Sequence, residues 1–404
     1  MPRKLLDPRP PIPAAYRTND RVAIQAMARD FAMNKVLPVA NQLDPEHGMI
    51  PAALRKEMGE LGFFGVMIPE KYDGLGLGVF EYALITEELA RAWMSVASII
   101  ARSAMAAQFN AEQRAELLPK AARGEWLAAF AMSEPGAGSD IASVRTRADK
   151  VDGGYRINGQ KMWCTFADQA NCIVVVARTT PYDPKRRHSG IRQLAVLKEP
   201  DTFPEGVSGN PIRKIGYHGW QTWDLSFDDC FVPDDALLGR DTTHSNDENA
   251  GFKQTASHMT TPRIHTAARA IGLARGGLED SIRYVQEREQ FDRPIGDFQV
   301  IRFKIAQMAA EIEACRALMY QVASDVDAGE TADAQGAMVK FLASEMAERV
   351  TSEALQIHGG AGYTTDFPIE RYWRDARLTK IFEGPSEIMQ RIISDSLLPP
   401  SSLR

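Results

Sequence analysis

The sequence predicts an α+β fold in which helical segments at both ends flank a compact β domain. Three observations carry this. In "DFQVIRFKIAQMAAEIEACRALMYQV", Phe298, Ile301, Ile305, Met308, Ile312, Cys315, Met319 and Val322 step by three and four, the period of a helix with one buried face. From about Ala129 to Arg240 the chain instead shows short β-rich runs, "CIVVVART", "RQLAVLKE" and "WDLSFDDCFV", punctuated by Pro, Gly and Asp. Before them, "VAIQAMARDFAMNKVLPVANQL" and "EYALITEELARAWMSVASIIARSAMAA" have apolar residues at helical spacing. The expected domains are 1–128 (helical), 129–240 (β) and 241–404 (a helical bundle).

The smaller elements follow in order. Pro51 is placed to start a helix, and "LGFFGVMIPEKYDGLGLG" is glycine-punctuated, as expected of a loop over a ligand or a domain seam. "GGYRINGQKMWCTF" reads as strand, Asn-Gly turn, strand. Pro294 lies just before the long C-terminal helix and "DAGE" ends it.

With 404 residues, 44% of them hydrophobic, the chain can bury a large core. A net charge of −6 argues against a general affinity for nucleic acid or anionic membrane. The dense basic run "PKRRH", Pro184 to His188, reads first as a solvated loop and second as a contact for an anionic ligand. Cys164, Cys172, Cys230 and Cys315 are scattered, without metal-ligand or CxxC spacing, which fits a reduced, cytoplasmic compartment. The first twenty residues lack the apolar core of a signal peptide, and no run approaches the about 20 apolar residues of a membrane span.

Generic catalytic motifs are missing: there is no phosphate-binding GxxxxGK[ST], no HExxH and no GxSxG, and the glycine-rich stretches lack a Rossmann context. Other stretches are more informative. "MSEPGAGSD", Met132 to Asp140, joins the helical and β parts, and its irregular backbone and hydroxyls suit a phosphate or a heterocycle edge as well as an ordinary turn. "NGQKMWCTF" puts Trp163 and Thr165 on one side of a strand, an indole and a hydroxyl able to meet an aromatic cofactor or simply to fill a core. "REQFDRPIGDFQ" and "QIHGGAGY" offer Arg288, Gln290, Phe291, Gln299, Gln356 and the Gly359–Gly360 pair around turns. In "KIFEGPSEIMQ", Glu383 stands between the apolar pair Ile381–Phe382 and a helix expected to begin at Pro385, with Ile388, Met389, Ile392 and Ile393 on its apolar face. A dry setting would raise its pKa, whereas the helix N-terminus would lower it.

Taken together, "LGFFGVMIPEKYDGLGLG", "EELARA", "LLPKAARGEW", "MSEPGAGSD", "INGQKMWCTFADQAN", "FDDCFVPDDALLG", "REQFDRPIGDFQVIRFKIAQMA" and "QIHGGAGYTTDFPIERYWRDARLTKIFEGPSEI" resemble the acyl-CoA dehydrogenase family, in family order and over nearly the whole chain. The resemblance implies an N-terminal helical domain, a central β domain and a C-terminal four-helix bundle. It also implies FAD, a homotetramer, acyl-CoA substrates and electron transfer to an electron-transfer flavoprotein. By the same resemblance, Phe130, Met132, Ser133, Gly138 and Ser139 line the flavin, with Ser139 toward the CoA arm. Trp163 lies against the ring system and Thr165 near its N5. Arg288, Phe291, Gln299, Gln356, Gly359 and Gly360 reach FAD bound mainly by a neighbouring subunit. Arg263 helps hold CoA, Gly384 contacts the substrate, and Glu383 is the base that removes the α-proton.

The sequence departs from the family pattern at Pro385, where the family usually has Thr, and at Trp220, where it commonly has a small or basic residue. The stretch before "EQR" is short, and Arg91 and Arg102 lie near it. They read either as surface or helix-end arginines or as partners of a polar or anionic acyl tail. Pro262 holds the place from which some relatives supply an alternative base, which favours Glu383. Competing readings are an acyl-CoA oxidase, an elimination on a CoA thioester, and a non-catalytic flavoprotein that binds nucleic acid, the last disfavoured by the acidic net charge.

Overall fold

The computed structural model describes residues 12–239 and 259–399. The expected boundary at residue 240 and the first eleven residues lie outside this range. The described chain forms two compact units, one of residues 1–46, 79–97 and 263–404, the other of residues 47–78 and 98–262.

The first unit is helical. Helix α1 (Asn19–Phe31) is capped by the Thr18 hydroxyl, which accepts from Arg21 N at 3.1 Å. It runs through a π-helical segment, Ala32–Val36, into α2 (Leu37–Leu43). The widening precedes Pro38, which has no N–H to donate and whose ring crowds the carbonyl one turn back. The long apolar stretch that follows is one helix in sequence and two in the fold: α4 (Val79–Ala92, after α3, Ala52–Glu60, of the other unit) stops before Trp93, and α5 is Met94–Ile99. Asp327 caps α4 by accepting from Val79 N and Phe80 N.

The C-terminal helices comprise three long members, α7 (Thr260–Glu287, after α6, Ala111–Ala122, of the other unit), α8 (Gln299–Asp327) and α9 (Asp333–His358). Two shorter helices, α10 (Ile369–Thr379) and α11 (Ser386–Leu397), pack along α9. The apolar stripe of α8 is buried from Met308 onward, whereas Ile301 and Ile305 are only half-buried. Helix α7 approaches α4 so closely that a Cβ on Gly272 would lie 2.4 Å from the Glu87 carbonyl oxygen.

Around that crossing lies a buried ion network. Arg91 pairs with Glu279 and Asp280, both at 2.7 Å, and donates to the Tyr372 hydroxyl. Arg29 reaches Glu279 at 2.8 Å, Arg275 binds Glu87 and Glu88, and Arg316 binds Glu87 at 2.9 Å. Arg91 is thus a helix-end arginine, in the last turn of α4, but not a surface group; it is fully buried in structure-forming pairs.

The second unit is built on a seven-stranded sheet. Its strands are β1 (Ala128–Ala131), β2 (Arg147–Val151), β3 (Gly154–Thr165), β4 (Cys172–Arg178), β5 (Ile191–Leu197), β6 (Val207–Pro211) and β7 (Thr222–Pro233), in the order β1-β4-β2-β3-β7-β6 with β5 also paired to β4. The expected Asn158-Gly159 turn is instead an irregularity inside one continuous strand, β3. Asn158 bonds across to Asp229 through both backbone and side chain, and Gly159 sits at φ +150 with Thr146 where a Cβ would be. The Asp152-Gly153 pair makes the β2–β3 turn instead. Trp220 is buried, edge-on to Phe166, with Arg55 over both rings.

The four cysteines are buried and unpaired. The basic run stays exposed, its charges paired locally through Arg186–Asp183 and Arg187–Asp140. No helix among the described residues is long and apolar enough to cross a membrane.

The ion network generates a stability prediction. Burial pushes the Glu279 carboxyl up, but Arg91, Arg275 and Arg29 outweigh it and bring the pKa to about 2. Glu279→Ala strands these arginines in the core and should cost about 3–5 kcal/mol, read as a lowered thermal or urea midpoint. An unchanged midpoint would show that the network is not cooperative.

Candidate functional site

In the helical unit the site is built around the turn between α10 and α11. Glu383 has φ +53 and Gly384 φ +91, so two successive left-handed residues reverse the chain. For glutamate this backbone is strained and persists only where surroundings enforce it. They do: Lys340 Nζ donates to the Gly384 carbonyl at 2.6 Å, Ser386 Oγ donates to Glu345 at 2.6 Å, and Lys380 pairs with Glu345 and Glu348. Pro385 is the cap of α11 rather than its first helical residue. Among the described residues, neither the Glu383 nor the Gly384 N–H donates a hydrogen bond, so two donors stand open ahead of a helix N-terminus.

The Glu383 carboxylate is held from α7. Arg269 donates to Oε1 at 2.6 Å, Thr266 donates to Oε2 at 2.5 Å, and Arg269 also donates to the Thr266 hydroxyl at 2.9 Å. The Glu383 side chain is 30% exposed while Arg269 is 1% exposed. Ile381 is 54% exposed, so the expected dry setting does not come from it; Phe382 contributes by lying under the Arg269 guanidinium at 4.5 Å. Burial pushes the Glu383 pKa up, but Arg269, His265 and the Thr266 hydrogen bond together outweigh it, and the carboxyl sits below its ordinary range. Buried Lys340 is pushed down to about 8 by desolvation, opposed by Glu383.

Arg263, buried on the same helix, reaches Asp333 only loosely, at 3.4 Å to its carbonyl and 3.9 Å to its carboxylate, and its Nε has no hydrogen-bond partner. A buried guanidinium nitrogen left unsatisfied fits a ligand-binding position. Sequence reasoning singled out Arg263 and Glu383 but missed Thr266, Arg269 and Lys340. Arg263, Thr266 and Arg269 at steps of three in an apolar helix were the available signal.

The remaining helical-unit candidates cluster at the far end of α7. Tyr284 stacks on His358 at 4.2 Å and donates to its carbonyl, bringing the α7 and α9 ends together. Arg288 and the hairpin formed by β8 (Glu289–Gln290) and β9 (Arg293–Pro294) follow α7, and Gly359 and Gly360 follow α9. Arg288, Phe291, Gln299, Gln356, Gly359 and Gly360 are all exposed, Phe291 by 87% and at φ +54.

In the β unit, Phe130 and Met132 are partly buried against Ala137, Val144, Val176 and Ile191. The "MSEPGAGSD" segment is a tight turn closed by reciprocal Glu134–Ala137 backbone bonds. Its base is pinned to β3, because buried Lys161 donates to the Met132 carbonyl and to Glu134, and Met162 N donates to the Ser133 carbonyl. Lys161 and Glu134 are two further residues that sequence reasoning missed. Beyond the pin, Gly138 and Ser139 are exposed, and a Cβ on Gly136 or Gly138 would meet nothing within 4 Å. A bulge after Lys161 turns Trp163 outward at φ +63 and 57% exposure, while Thr165 bonds the Thr222 hydroxyl at 2.9 Å.

Within the β unit, an outward indole on strained backbone, a hydroxyl pair two residues on, and open glycine backbone at 136 and 138 fit a large planar cofactor with a phosphate-bearing arm. Among the described residues no cluster of His, Cys, Asp or Glu fits a metal ion.

Residues 18–125, 129–230 and 249–398 match the acyl-CoA dehydrogenase N-terminal, middle and C-terminal domains. The chain is 36% identical over 390 residues to 3-(aryl)acrylate reductase of Clostridium sporogenes, covering 95% of this chain and 100% of that protein. It is similar to butyryl-CoA dehydrogenase from Megasphaera elsdenii at TM-score 0.86 and 33% identity, covering 94% and 98%. It is also similar to a chain in a structure described as the electron transferring flavoprotein of Acidaminococcus fermentans, at TM-score 0.87 and 35% identity, covering 95% and 99%.

The depressed Glu383 pKa has a stability consequence. A carboxyl whose folded pKa lies below its unfolded value of about 4.3 adds stability in full above that value and loses it as pH falls through the folded pKa. The thermal midpoint of the wild type should therefore exceed that of Glu383→Gln most at neutral pH, and the gap should close on acidification below pH of about 4.3. A gap that widens on acidification would mean that the folded carboxyl is already protonated at neutrality.

Proposed function

The chain belongs to the acyl-CoA dehydrogenase family, and on that premise we propose that Glu383 is the base that removes the α-proton of the acyl thioester. The protein is an FAD-dependent oxidoreductase acting on the CH–CH bond of CoA thioesters. One observation carries the assignment of Glu383: its carboxylate lies on a strained, pinned turn whose own N–H and that of Gly384 are unbonded.

When bound, FAD supplies the acceptor for the hydride that leaves Cβ. The α-proton of a thioester is a very weak acid, so its removal needs a positioned base and donors aimed at the oxygen that becomes negative. Glu383 Oε takes the proton, and the Glu383 and Gly384 N–H groups, at the N-terminal end of α11, receive the thioester oxygen. Arg263, with its unsatisfied Nε, and Ser139 hold the CoA portion. Phe130, Met132, Ser133, Gly138, Trp163 and Thr165 hold FAD from the β unit.

Arg288, Phe291, Gln299, Gln356, Gly359 and Gly360 serve FAD held mainly by a neighbouring subunit of a homotetramer. Their exposure supports this, as do Val300, Phe303 and Tyr363, large apolar groups more than 60% exposed on the same unit. The domains are 1–128, 129–240 and 241–404, the protein is cytoplasmic, and electrons pass to an electron-transfer flavoprotein. The similar chain in the Acidaminococcus fermentans structure supports the last point.

Anaerobic addition of short, long, branched, aromatic and dicarboxylic acyl-CoAs to the yellow protein should bleach the flavin with one class and so identify the acyl chain. Glu383→Gln should retain FAD and lose turnover by about 10²–10⁴-fold; near-normal turnover in a folded variant would remove Glu383 from the base role. Fast reoxidation by dioxygen would replace the flavoprotein acceptor with an oxidase reading. Light scattering should give four chains per particle, and Phe303→Asp should lower that number.

A further inference from the structure

We propose that Arg269 is a positioning residue that keeps the Glu383 carboxylate ionised and aimed, and thereby sets the lower pH limit of α-proton removal. The inference rests on the reading of Glu383 as the base.

The geometry is a closed ring of three hydrogen bonds. One guanidinium nitrogen of Arg269 donates both to Glu383 Oε1 and to the Thr266 hydroxyl, and that hydroxyl in turn donates to Glu383 Oε2. Both carboxylate oxygens are thus met by donors one helical turn apart on α7. The Thr266 hydroxyl donates to Oε2, an ionised oxygen that can only accept, and accepts from Arg269, which can only donate. The guanidinium is itself fixed. Its Nε points to the His265 carbonyl at 3.4 Å, and its face lies on the Phe382 ring. A rotatable glutamate on strained backbone is therefore held by a partner with no freedom of its own.

The other charged groups around Glu383 lie on α7 and α9, with Lys380 at the end of α10. His265 is on α7 beside Arg269, and its ring is anchored at 3.0 Å on the Ala97 carbonyl of α5. Lys340, on α9, is anchored through the Gly384 carbonyl rather than on the carboxylate. Glu345, also on α9, is engaged by Lys380 and Ser386, and Arg263 lies two turns N-terminal to Arg269. Arg269 is the cation hydrogen-bonded to the carboxylate itself, so its removal should dominate any change in Glu383's proton affinity.

The test does not depend on knowing the acyl chain. Infrared difference spectra of the FAD-bound protein, each against its own Glu383→Gln counterpart, isolate the Glu383 carboxyl band, and pH titration gives its midpoint. Arg269→Gln should raise that midpoint by about one unit or more, a tenfold gain in proton affinity. Arg269→Lys, which keeps the charge but not the forked geometry, should fall between. Equal midpoints in wild type, Arg269→Gln and Arg269→Lys would overturn the proposal, and the lysine variant provides the same decision if the glutamine variant misfolds. With a thioester that bleaches the flavin, the acidic limb of kcat/KM should move in step with the infrared midpoint. A shifted midpoint combined with full turnover in Glu383→Gln would instead disprove the base reading while leaving the Arg269–Glu383 coupling intact.

Discussion

The helical unit depends on a buried, charge-balanced network: Arg29, Arg91, Arg275 and Arg316 against Glu87, Glu88, Glu279 and Asp280. Buried ions are costly to desolvate and repay that cost only when pairing geometry is good. The consequence is specificity of packing. Helices α1, α4, α7 and α8 each contribute members, and no one of them can slide by a turn without stranding a charge in the core. The close crossing of α7 and α4 at Gly272 belongs to the same constraint, because the arginines and carboxylates meet only if the backbones approach this far.

That rigidity reaches the site because α7 carries both functions. Its C-terminal half supplies Arg275, Glu279 and Asp280 to the network, while its N-terminal half supplies Arg263, Thr266 and Arg269 toward the Glu383 turn. A helix fixed in rotation at one end presents a fixed set of donors at the other. Strain at Glu383 is sustained in the same way. Lys340 on the Gly384 carbonyl, together with Glu345 and Glu348 on the Ser386 and Lys380 side, ties the turn to α9. The two left-handed residues therefore do not relax into a longer α11. The β unit repeats the device with Lys161, whose buried ammonium pins the Met132–Glu134 backbone and leaves Gly138 and Ser139 extending beyond the pin.

Periodicity revealed the helices and strands, because burial of one face is a property of spacing alone: the α8 stripe from Met308 to Val322 and the runs at β4, β5 and β7 are where the sequence places them. Local exceptions were less legible. Asn158-Gly159 has turn chemistry, yet the Asp229 partner that makes it a bulge lies 71 residues away. The break at Trp93 carries no Gly or Pro to announce it. Glu383 could be found from its odd setting, but its electrostatics could not. Its neighbours in sequence left two opposed effects, a dry setting raising the pKa and a helix N-terminus lowering it, and its neighbours in space, Arg269, Thr266 and His265, decide for the lower value. Arg91 shows the same limit, since a charge on an apolar helix looks like a surface or pocket group until its partners 188 and 189 residues away are seen.

On the proposed reading of Glu383 as the base, its lowered pKa shifts where the work of catalysis must be done. A carboxylate held below its ordinary pKa is ionised whenever a thioester arrives, but it is a weaker proton acceptor than a desolvated one. Proton removal from carbon is then uphill by more, and the difference has to be met on the substrate side, by stabilising the oxygen that becomes negative. The open N–H groups of Glu383 and Gly384 are suited to that task because they belong to the same pinned turn as the base. Their direction is fixed by the backbone strain that fixes the carboxylate, so the proposed base and oxyanion donors cannot be misaligned independently. Gain of the α-proton by Glu383 would leave Arg269 beside a neutral acid, and a buried guanidinium favours any nearby anion. The carboxylate is neutralised by the proton it takes, and the pair left by the broken C–H bond puts the negative charge on the thioester oxygen.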